Sequence, residues 1–332
     1  MKYIAFVTEE LEKNKFLSSF KELEIDDLHI NDVLIKVVWS SLNYKDALSA
    51  KGHKGITRNY PHTPGVDAAG IVVKSNNSEI VEGDKVIITG HDLGMNTNGG
   101  FAEYVSVPYN WIVKLPDALK LRESMIYGTA GSTAAICINE LIKHGLTPDK
   151  GKILVTGATG GVGSMSVAIL NKIGYKVIAS TGKLDKVDFL KSIGADEVIS
   201  RDEVFDTTGK PLLPRRWAGA IDTVGGNTLS TVFRSTDYHG IVCVLGLVES
   251  SDLNINLFPF LQRGVSLIGI DSAERGLDIK KELWKKLSNE WKPDCLNEMV
   301  KEVNLLDIEP EIELILKGGQ VGKTLINCSI KN

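Results

Sequence analysis

The chain has 332 residues, with 38 Lys and Arg against 42 Asp and Glu and a formal net charge of −4. Domains of about 100–200 residues make two the expected number, and a composition 43% apolar and 24% charged excludes a disordered chain. The near-neutral balance excludes a broad electrostatic footprint for nucleic acid or an anionic membrane, so neither is expected as a partner.

The first 120 residues read as β-rich. VLIKVVWSSLNY (33–44), AAGIVVKS (68–75), DKVIITG (84–90) and GGFAEYVSVP (99–108) are short runs rich in β-branched residues, the last limited by Pro108. Pro61, Pro64 and Gly65 mark a tight loop. The character then changes: residues 121–145 read as a helix with a glycine interruption, its first turn supported by Glu123.

Strands and helices alternate from there. KILVTG (152–157) predicts a buried strand, VGSMSVAILNKIG (162–174) a helix closed by Gly174, KVIAS (176–180) the next strand and KLDKVDFLKSIG (183–194) the next helix. EVIS (197–200), GAIDTVGG (219–226), GIVCVLG (240–246) and VSLIGI (265–270) are further strands. Repeated βα units imply an α/β fold with a doubly wound parallel sheet. KKELWKKLSNEWK (280–292) reads as a helix packed on its own domain through Leu283, Trp284, Leu287 and Trp291, rather than as a membrane-surface helix. GGQVGKTLINCSI (318–330) reads as a turn and a strand. The β-rich start and this tail are expected to form one discontinuous domain.

The strongest local signal is VTGATGGVGS (155–164), set between a buried strand and a helix. Glycines at 157, 160 and 163 let the backbone turn sharply and approach a pyrophosphate, while the helix N-terminus offers free N–H groups. The spacing departs from Gly-x-Gly-x-x-Gly, and the alternating βα context is what supports a dinucleotide site over a plain turn. Thr159, Gly160, Gly161 and Val162 are the candidate contacts. About 20 residues on, where NAD-binding turns carry an acid, the chain has Ser180, Thr181, Gly182 and Lys183. Hydroxyls and a lysine suit a 2′-phosphate, so NADP(H) is favoured over NAD(H). Arg201 is a second candidate cation.

Cys137, Cys243, Cys295 and Cys328 are far apart, which fits neither a Cys-x-x-Cys zinc site nor a secreted disulfide framework. The six histidines (29, 53, 62, 91, 144 and 239) show no ligand spacing, and His53 and His62 are expected on solvated loops. The apolar run Tyr3–Val7 is too short for a signal-peptide core, and no run nears the ~18 apolar residues that span a bilayer. The expectation is a reduced, cytoplasmic, metal-poor protein.

NYKDAL (43–48), PGVDAAG (64–70), GTAGSTA (128–134), VTGATGGVG (155–163), AIDTVGG (220–226) and RGVSLIGIDS (263–272) occur in this order. Together they resemble the zinc-free quinone-oxidoreductase branch of the medium-chain dehydrogenase/reductase superfamily, above all the YhdH/YhfP group with its NADPH-dependent acryloyl-CoA reductases. The resemblance covers essentially the whole chain. It implies a GroES-like β-rich catalytic domain (1–122 and 271–332) around a Rossmann NADP-binding domain (123–270), and a homodimer. Zinc-dependent relatives place an early Cys and a His-Glu pair where this chain has Ser41–Tyr44 and Val66-Asp67. Their four-Cys lobe falls near 90–100, where this chain has His91 and Asp92 but no Cys. Both zinc sites are therefore expected to be missing.

Without a metal to stabilise an alkoxide, hydride transfer to a quinone or an activated C=C bond of the acryloyl-CoA or enone type is the expected chemistry. Tyr44 is the first candidate at the nicotinamide, as hydrogen-bond or proton donor; its plain alternative is a core tyrosine. Asn43 is a candidate to orient the substrate carbonyl, and Asp67 to act through water or to orient Tyr44. Thr133 is a candidate nicotinamide contact. The resemblance adds Leu247, Ile270 and Ser272 to the nicotinamide surround, and it places Lys323 where the family usually has Arg. Lys51, Lys54 and Arg58 are either attractors for CoA phosphates or plain surface charge.

A short-chain dehydrogenase would need Tyr-x-x-x-Lys, which none of the eight tyrosines has. An NADPH-binding protein with a structural or regulatory role would bind the cofactor tightly without oxidising it.

Overall fold

The computed structural model of the chain describes residues 1–28 and 32–330, so His29 lies outside the described residues. Contacts group the chain into two units, residues 1–132, 272–288 and 300–332 in the first and 133–271 and 289–299 in the second.

The first unit opens with a hairpin, β1 (Lys2–Glu12) and β2 (Lys15–Glu24), paired antiparallel. Its turn is made by Lys13 and Asn14, with Asn14 at φ 62°, a left-handed conformation that asparagine tolerates. This hairpin is not predicted from the sequence. The ends of the two strands are a Glu- and Lys-rich stretch, and the turn carries neither Gly nor Pro. Strand β3 (Val33–Leu42) follows, then helix α1 (Tyr44–Ala50) and strands β4 (Asp67–Ser75), β5 (Lys85–Thr89), β6 (Tyr104–Val107) and β7 (Val113–Lys114). Val33, Ile35 and Val37 alternate inward from β3 against Ala68 and Val72 of β4 and Val86 and Ile88 of β5.

The strand predicted over 33–44 therefore stops at Leu42. Asn43 is the N-cap of α1, and the Asp46 side chain accepts the Asn43 N–H at 2.8 Å, which turns the chain from strand to helix. The run at 99–108 is a strand only from Tyr104, because Gly99 and Gly100 press against other backbone: a Cβ on Gly100 would lie 2.1 Å from the Asp67 carbonyl oxygen.

Helix α2 (Leu121–Lys143) is broken at Gly128 (φ 50°, ψ −153°), a conformation open only to glycine. In the second unit, strands β8 (Ile153–Val155), β9 (Val177–Thr181), β10 (Glu197–Ser200), β11 (Trp217–Asp222), β12 (Thr236–Val244) and β13 (Ser266–Gly269) form one parallel sheet in the order β10-β9-β8-β11-β12-β13. The helices between them are α3 (Gly161–Lys172), α4 (Val187–Ser192), α5 (Gly226–Arg234) and α6 (Phe258–Arg263). The strand order reverses at β8–β11, the switch point where open α/β sheets take their ligands.

The chain closes with α7 (Leu277–Ser288), β14 (Val300–Asn304), α8 (Glu309–Leu316) and β15 (Lys323–Asn327). Strand β15 pairs antiparallel with the end of β3, so the C-terminal strand completes the sheet that the N-terminal part begins. Helix α7 packs inward through Leu283, Trp284 and Leu287, with Trp284 edge-on to Tyr127 at 6.0 Å, but it ends at Ser288 rather than at 292, so Trp291, buried, lies in the turn beyond it and not on the helix face. Lys280, at the start of the charged run 280–292, is buried: its Nζ meets the Thr89 carbonyl at 3.0 Å, the Ala273 carbonyl at 2.9 Å and His91 Nε2 at 2.9 Å.

Candidate functional site

In the second unit the glycine turn lies at the carboxyl end of β8 and leads into α3. Gly157 has φ 58°, its carbonyl accepts the Gly160 N–H at 2.9 Å, and a Cβ on Gly163 would lie 2.4 Å from the same oxygen. The tight turn therefore needs side-chain-free positions at both ends. Thr159 is buried, and its hydroxyl lies 3.3 Å from that of Thr181 at the end of β9. The Thr181 hydroxyl accepts the Lys183 N–H at 3.0 Å. Ser180 is buried and its carbonyl accepts the Ala158 N–H at 3.0 Å, joining β9 to the turn. A Cβ on Gly182 would meet Arg201 Nε at 2.9 Å, so the guanidinium lies against exposed Gly182. Gly160, Gly161 and Val162 are half-buried in the first turn of α3.

This end of the sheet thus combines a helix N-terminus, three hydroxyl-bearing residues, a lysine and an arginine. Such a set fits a group with a pyrophosphate and a further phosphate. Leu247, 68% exposed, follows β12, and Ile270 follows β13 with its N–H donated to the Val244 carbonyl. Thr133 is buried in α2, and Ser272 belongs to the first unit.

In the first unit, β3, α1, β4, α2 and β15 bring a polar cluster together. Asp67 is fully buried and accepts four hydrogen bonds: Ser41 Oγ at 2.5 Å and Asn43 Nδ2 at 2.7 Å on Oδ2, the Thr129 N–H at 2.8 Å and Thr129 Oγ1 at 2.6 Å on Oδ1. The break at Gly128 frees the Thr129 N–H, and the carboxylate caps the helical segment that begins there.

Asp46, also fully buried, accepts the Val66 N–H at 2.8 Å and the Asn43 N–H at 2.8 Å. Burial, reinforced by the Asp67 charge, pushes its carboxyl up to about 7. Lys323 is 1% exposed and donates to Asn43 Oδ1 at 2.9 Å and the Leu42 carbonyl at 3.2 Å. Burial lowers its ammonium pKa against the opposing pull of Asp67 and Asp46. Asn43 is the hub, held through every polar atom of its amide. Tyr44 follows it as the first residue of α1 and is 53% exposed; its phenol has no hydrogen-bond partner among the described residues. It is therefore not a core tyrosine.

Asp46 and Lys323 were missed as members of this cluster. The Asn-x-x-Asp spacing of a helix start was the available signal for Asp46, and a lysine inside the apolar run VGKTLIN was that for Lys323. His53 is exposed, but His62 is 3% exposed because its backbone pairs with Thr8 of β1. Burial lowers its pKa. His91 stacks on Trp111 at 5.3 Å and meets Lys280 through Nε2; burial and that ammonium push it down to about 4. Among the described residues no group of three or more His, Cys, Asp or Glu is placed to hold a metal ion. Lys51 is paired with Glu313 at 2.5 Å, and Lys54 with Glu10 at 2.6 Å over the rings of Phe16 and Tyr60. Arg58 is exposed and has no ion-pair partner among the described residues.

Two family models match the chain: an alcohol dehydrogenase GroES-like domain over residues 29–117 and a zinc-binding dehydrogenase domain over residues 161–289. A putative quinone oxidoreductase of Bacillus subtilis, YhfP, is 46% identical over 92% of this chain and 93% of its own. Its crystal structure with NAD bound matches at a TM-score of 0.96 and 43% identity over 98% of this chain and 99% of that one. The acrylyl-CoA reductase AcuI of Ruegeria pomeroyi is 38% identical over 97% and 98%. The yhdH oxidoreductase of Salmonella enterica, crystallised with NADP, matches at a TM-score of 0.95 and 39% identity over 99% and 100%.

Proposed function

The chain belongs to the medium-chain dehydrogenase/reductase family, and from that premise we propose that it is an NADPH-dependent oxidoreductase acting without zinc on an acceptor whose carbonyl takes up negative charge: a quinone, or a C=C bond conjugated to a carbonyl as in acrylyl-CoA. The glycine turn at the β8–β11 switch point, followed at the end of β9 by hydroxyls and Lys183 in place of a carboxylate, carries this reading.

Thr159, Gly160, Gly161 and Val162 would hold the pyrophosphate, and Ser180, Thr181, Gly182, Lys183 and Arg201 the 2′-phosphate. Tyr44, Thr133, Leu247, Ile270 and Ser272 would border the nicotinamide. NADPH, when bound, supplies the hydride. The chain's own part is to orient the acceptor and to stabilise the charge that develops on its oxygen. Tyr44, exposed and unpartnered, is the donor for that oxygen. Asn43 fixes the start of α1 that carries Tyr44, and Asp67 and Lys323 are positioning residues that hold Asn43.

The donor set favours a metal-free reaction. At the places of the family's zinc ligands stand a hydroxyl, an amide, a phenol and a carboxylate already bound by four donors, with the Lys323 ammonium beside them. A dication has no free anionic ligand there. A cytoplasmic homodimer completes the reading. All four cysteines are free, and exposed Leu257 and Leu261 lie in and beside α6, next to the edge strand β13. No helix among the described residues is long and apolar enough to cross a membrane.

The decisive experiment follows NADPH absorbance with 1,4-benzoquinone, a simple enone and acrylyl-CoA in parallel. Stimulated oxidation by at least one of them is expected, and the acceptor with the highest kcat/KM names the substrate class. Tight NADPH binding with no acceptor-stimulated oxidation would overturn the enzyme reading.

A further inference from the structure

We propose that Asp222 is a positioning residue for the cofactor: its carboxylate locks Thr156 and Thr223 together so that the glycine turn keeps the shape that receives a pyrophosphate. This rests on the cofactor reading above and adds to it a residue outside the turn.

The geometry is a closed ring of hydrogen bonds across the switch point. Thr156 is the residue between β8 and Gly157, and Asp222 ends β11. Thr156 Oγ1 donates to Asp222 Oδ2 at 2.8 Å and accepts the Thr223 N–H at 3.0 Å; Thr223 Oγ1 donates to the Thr156 carbonyl at 2.9 Å. Asp222 Oδ1 accepts the N–H groups of Gly225 at 2.7 Å and Val224 at 3.2 Å. Thr223 is gripped from both sides. A Cβ on Gly157 would lie 2.3 Å from its hydroxyl, and one on Gly246 would lie 1.9 Å from its carbonyl oxygen. A shift of Thr223 is therefore transmitted to Gly157, whose carbonyl holds the turn closed through Gly160.

The Thr156 hydroxyl and the N–H groups of Val224 and Gly225 all donate to Asp222, and the carboxylate accepts from all three while leaving the Thr156 hydroxyl hydrogen satisfied. It is fully buried, and no cation pairs with it among the described residues. Glu249, in the loop after β12, is the charged side chain that acts on it, itself tied to the first turn of α5 through the N–H groups of Asn227 and Thr228 and the Thr228 hydroxyl. Burial pushes the Asp222 carboxyl up to about 6 against the pull of its hydrogen bonds, with Glu249 adding to the rise. An unpaired buried carboxylate is costly to keep, and it is kept between two loops on which a dinucleotide would lie. On protonation, Oδ2 donates to Thr156 Oγ1 instead of accepting from it, and the Thr156 hydroxyl hydrogen loses its acceptor in a buried place. The link from Asp222 through Thr156 to the residue before Gly157 is weakened.

The test is NADPH titration by fluorescence for the wild type, Asp222→Asn, Thr156→Val and Thr156→Ser, between about pH 5 and pH 8. At the alkaline end, Asp222→Asn and Thr156→Val should bind NADPH roughly tenfold more weakly, and Thr156→Ser, which keeps the hydroxyl, should restore affinity. Wild-type Kd should rise on acidification through about pH 6. The 2′-phosphate titrates in the same range, so the readout is the difference between wild type and Asp222→Asn, repeated with NADH, which lacks that phosphate. A role confined to stability would shift melting without altering this pH dependence. A folded Asp222→Asn with wild-type Kd and wild-type pH dependence sinks the proposal. If Asp222→Asn does not fold, equal affinity of Thr156→Val and Thr156→Ser sinks it instead. A folded wild type that binds neither NADPH nor NADH sinks the cofactor reading beneath it.

Discussion

Lys323 Nζ lies 2.9 Å from Asn43 Oδ1, across 280 residues of sequence. That bond fixes which way the amide faces: its carbonyl toward the ammonium, its NH2 toward Asp67 and Asp46. Replacing the lysine with a neutral chain of similar length removes the bond and leaves two carboxylates without their cation. Lys323→Met is expected to lower kcat/KM at least tenfold, with Lys323→Arg recovering most of it. Steady-state kinetics with a folded variant decide the matter, and unchanged kcat/KM in Lys323→Met would remove Lys323 from its positioning role.

Asp46 predicts a pH dependence of stability. Its carboxyl is raised from the ordinary carboxylate range to about 7. Between those limits the folded chain holds a proton that the unfolded chain has released. Stability from this group is complete at about pH 4 and is lost as pH rises towards 7, by up to about 1.4 kcal/mol per pH unit. Asp222, raised to about 6, adds in the same direction over the lower part of that window. Denaturant unfolding across the window should show the slope, and Asp46→Asn should flatten it.

Gly128→Ala combines two penalties. The backbone there has φ 50° and ψ −153°, and the added Cβ would lie 2.5 Å from both Asp67 Oδ2 and Ser41 Oγ. A loss of about 3 kcal/mol or more is expected, from backbone strain together with disturbed hydrogen bonds to a buried carboxylate. Urea unfolding measures it; a change below about 0.5 kcal/mol would show that the break in α2 is not enforced at this residue.

Tyr44→Phe should leave stability within about 0.5 kcal/mol, because the phenol is exposed and bonded to nothing among the described residues. Turnover with saturating acceptor should fall about tenfold or more if the hydroxyl serves the developing oxyanion. Unchanged turnover would take Tyr44 out of that role.

Lys183→Ala should weaken NADPH by about tenfold and leave NADH nearly unchanged if the lysine answers only to the 2′-phosphate, as proposed. Equal losses for both cofactors would place Lys183 elsewhere than at that phosphate. YhfP was crystallised with NAD, so the ratio of the two affinities is informative in the wild type as well.

The nucleotide half of the molecule was legible because its signals are local. A buried strand, a glycine turn and a helix with a glycine stop lie within 22 residues of each other, from Ile153 to Gly174. The polar cluster was legible only in part. Asn43, Tyr44 and Asp67 lie in short motifs, whereas Lys323 reaches them because β15 pairs with β3, a contact no local pattern encodes. Asp222 was read as part of a strand motif alone, since its role depends on Thr156, 66 residues earlier. The β1–β2 hairpin was hidden for a different reason: its turn relies on an asparagine with positive φ, and its strand ends carry charged residues that read as loop.

Lys280 places an ammonium among the carbonyls of Thr89 and Ala273 and the ring nitrogen of His91. It fastens the loop after β5 to the start of α7, in the region where zinc-dependent relatives carry their cysteine lobe. The cation that performs this fastening is part of the polypeptide. It is made when the chain is made, needs no loading step, and cannot be withdrawn by a chelator or by metal scarcity.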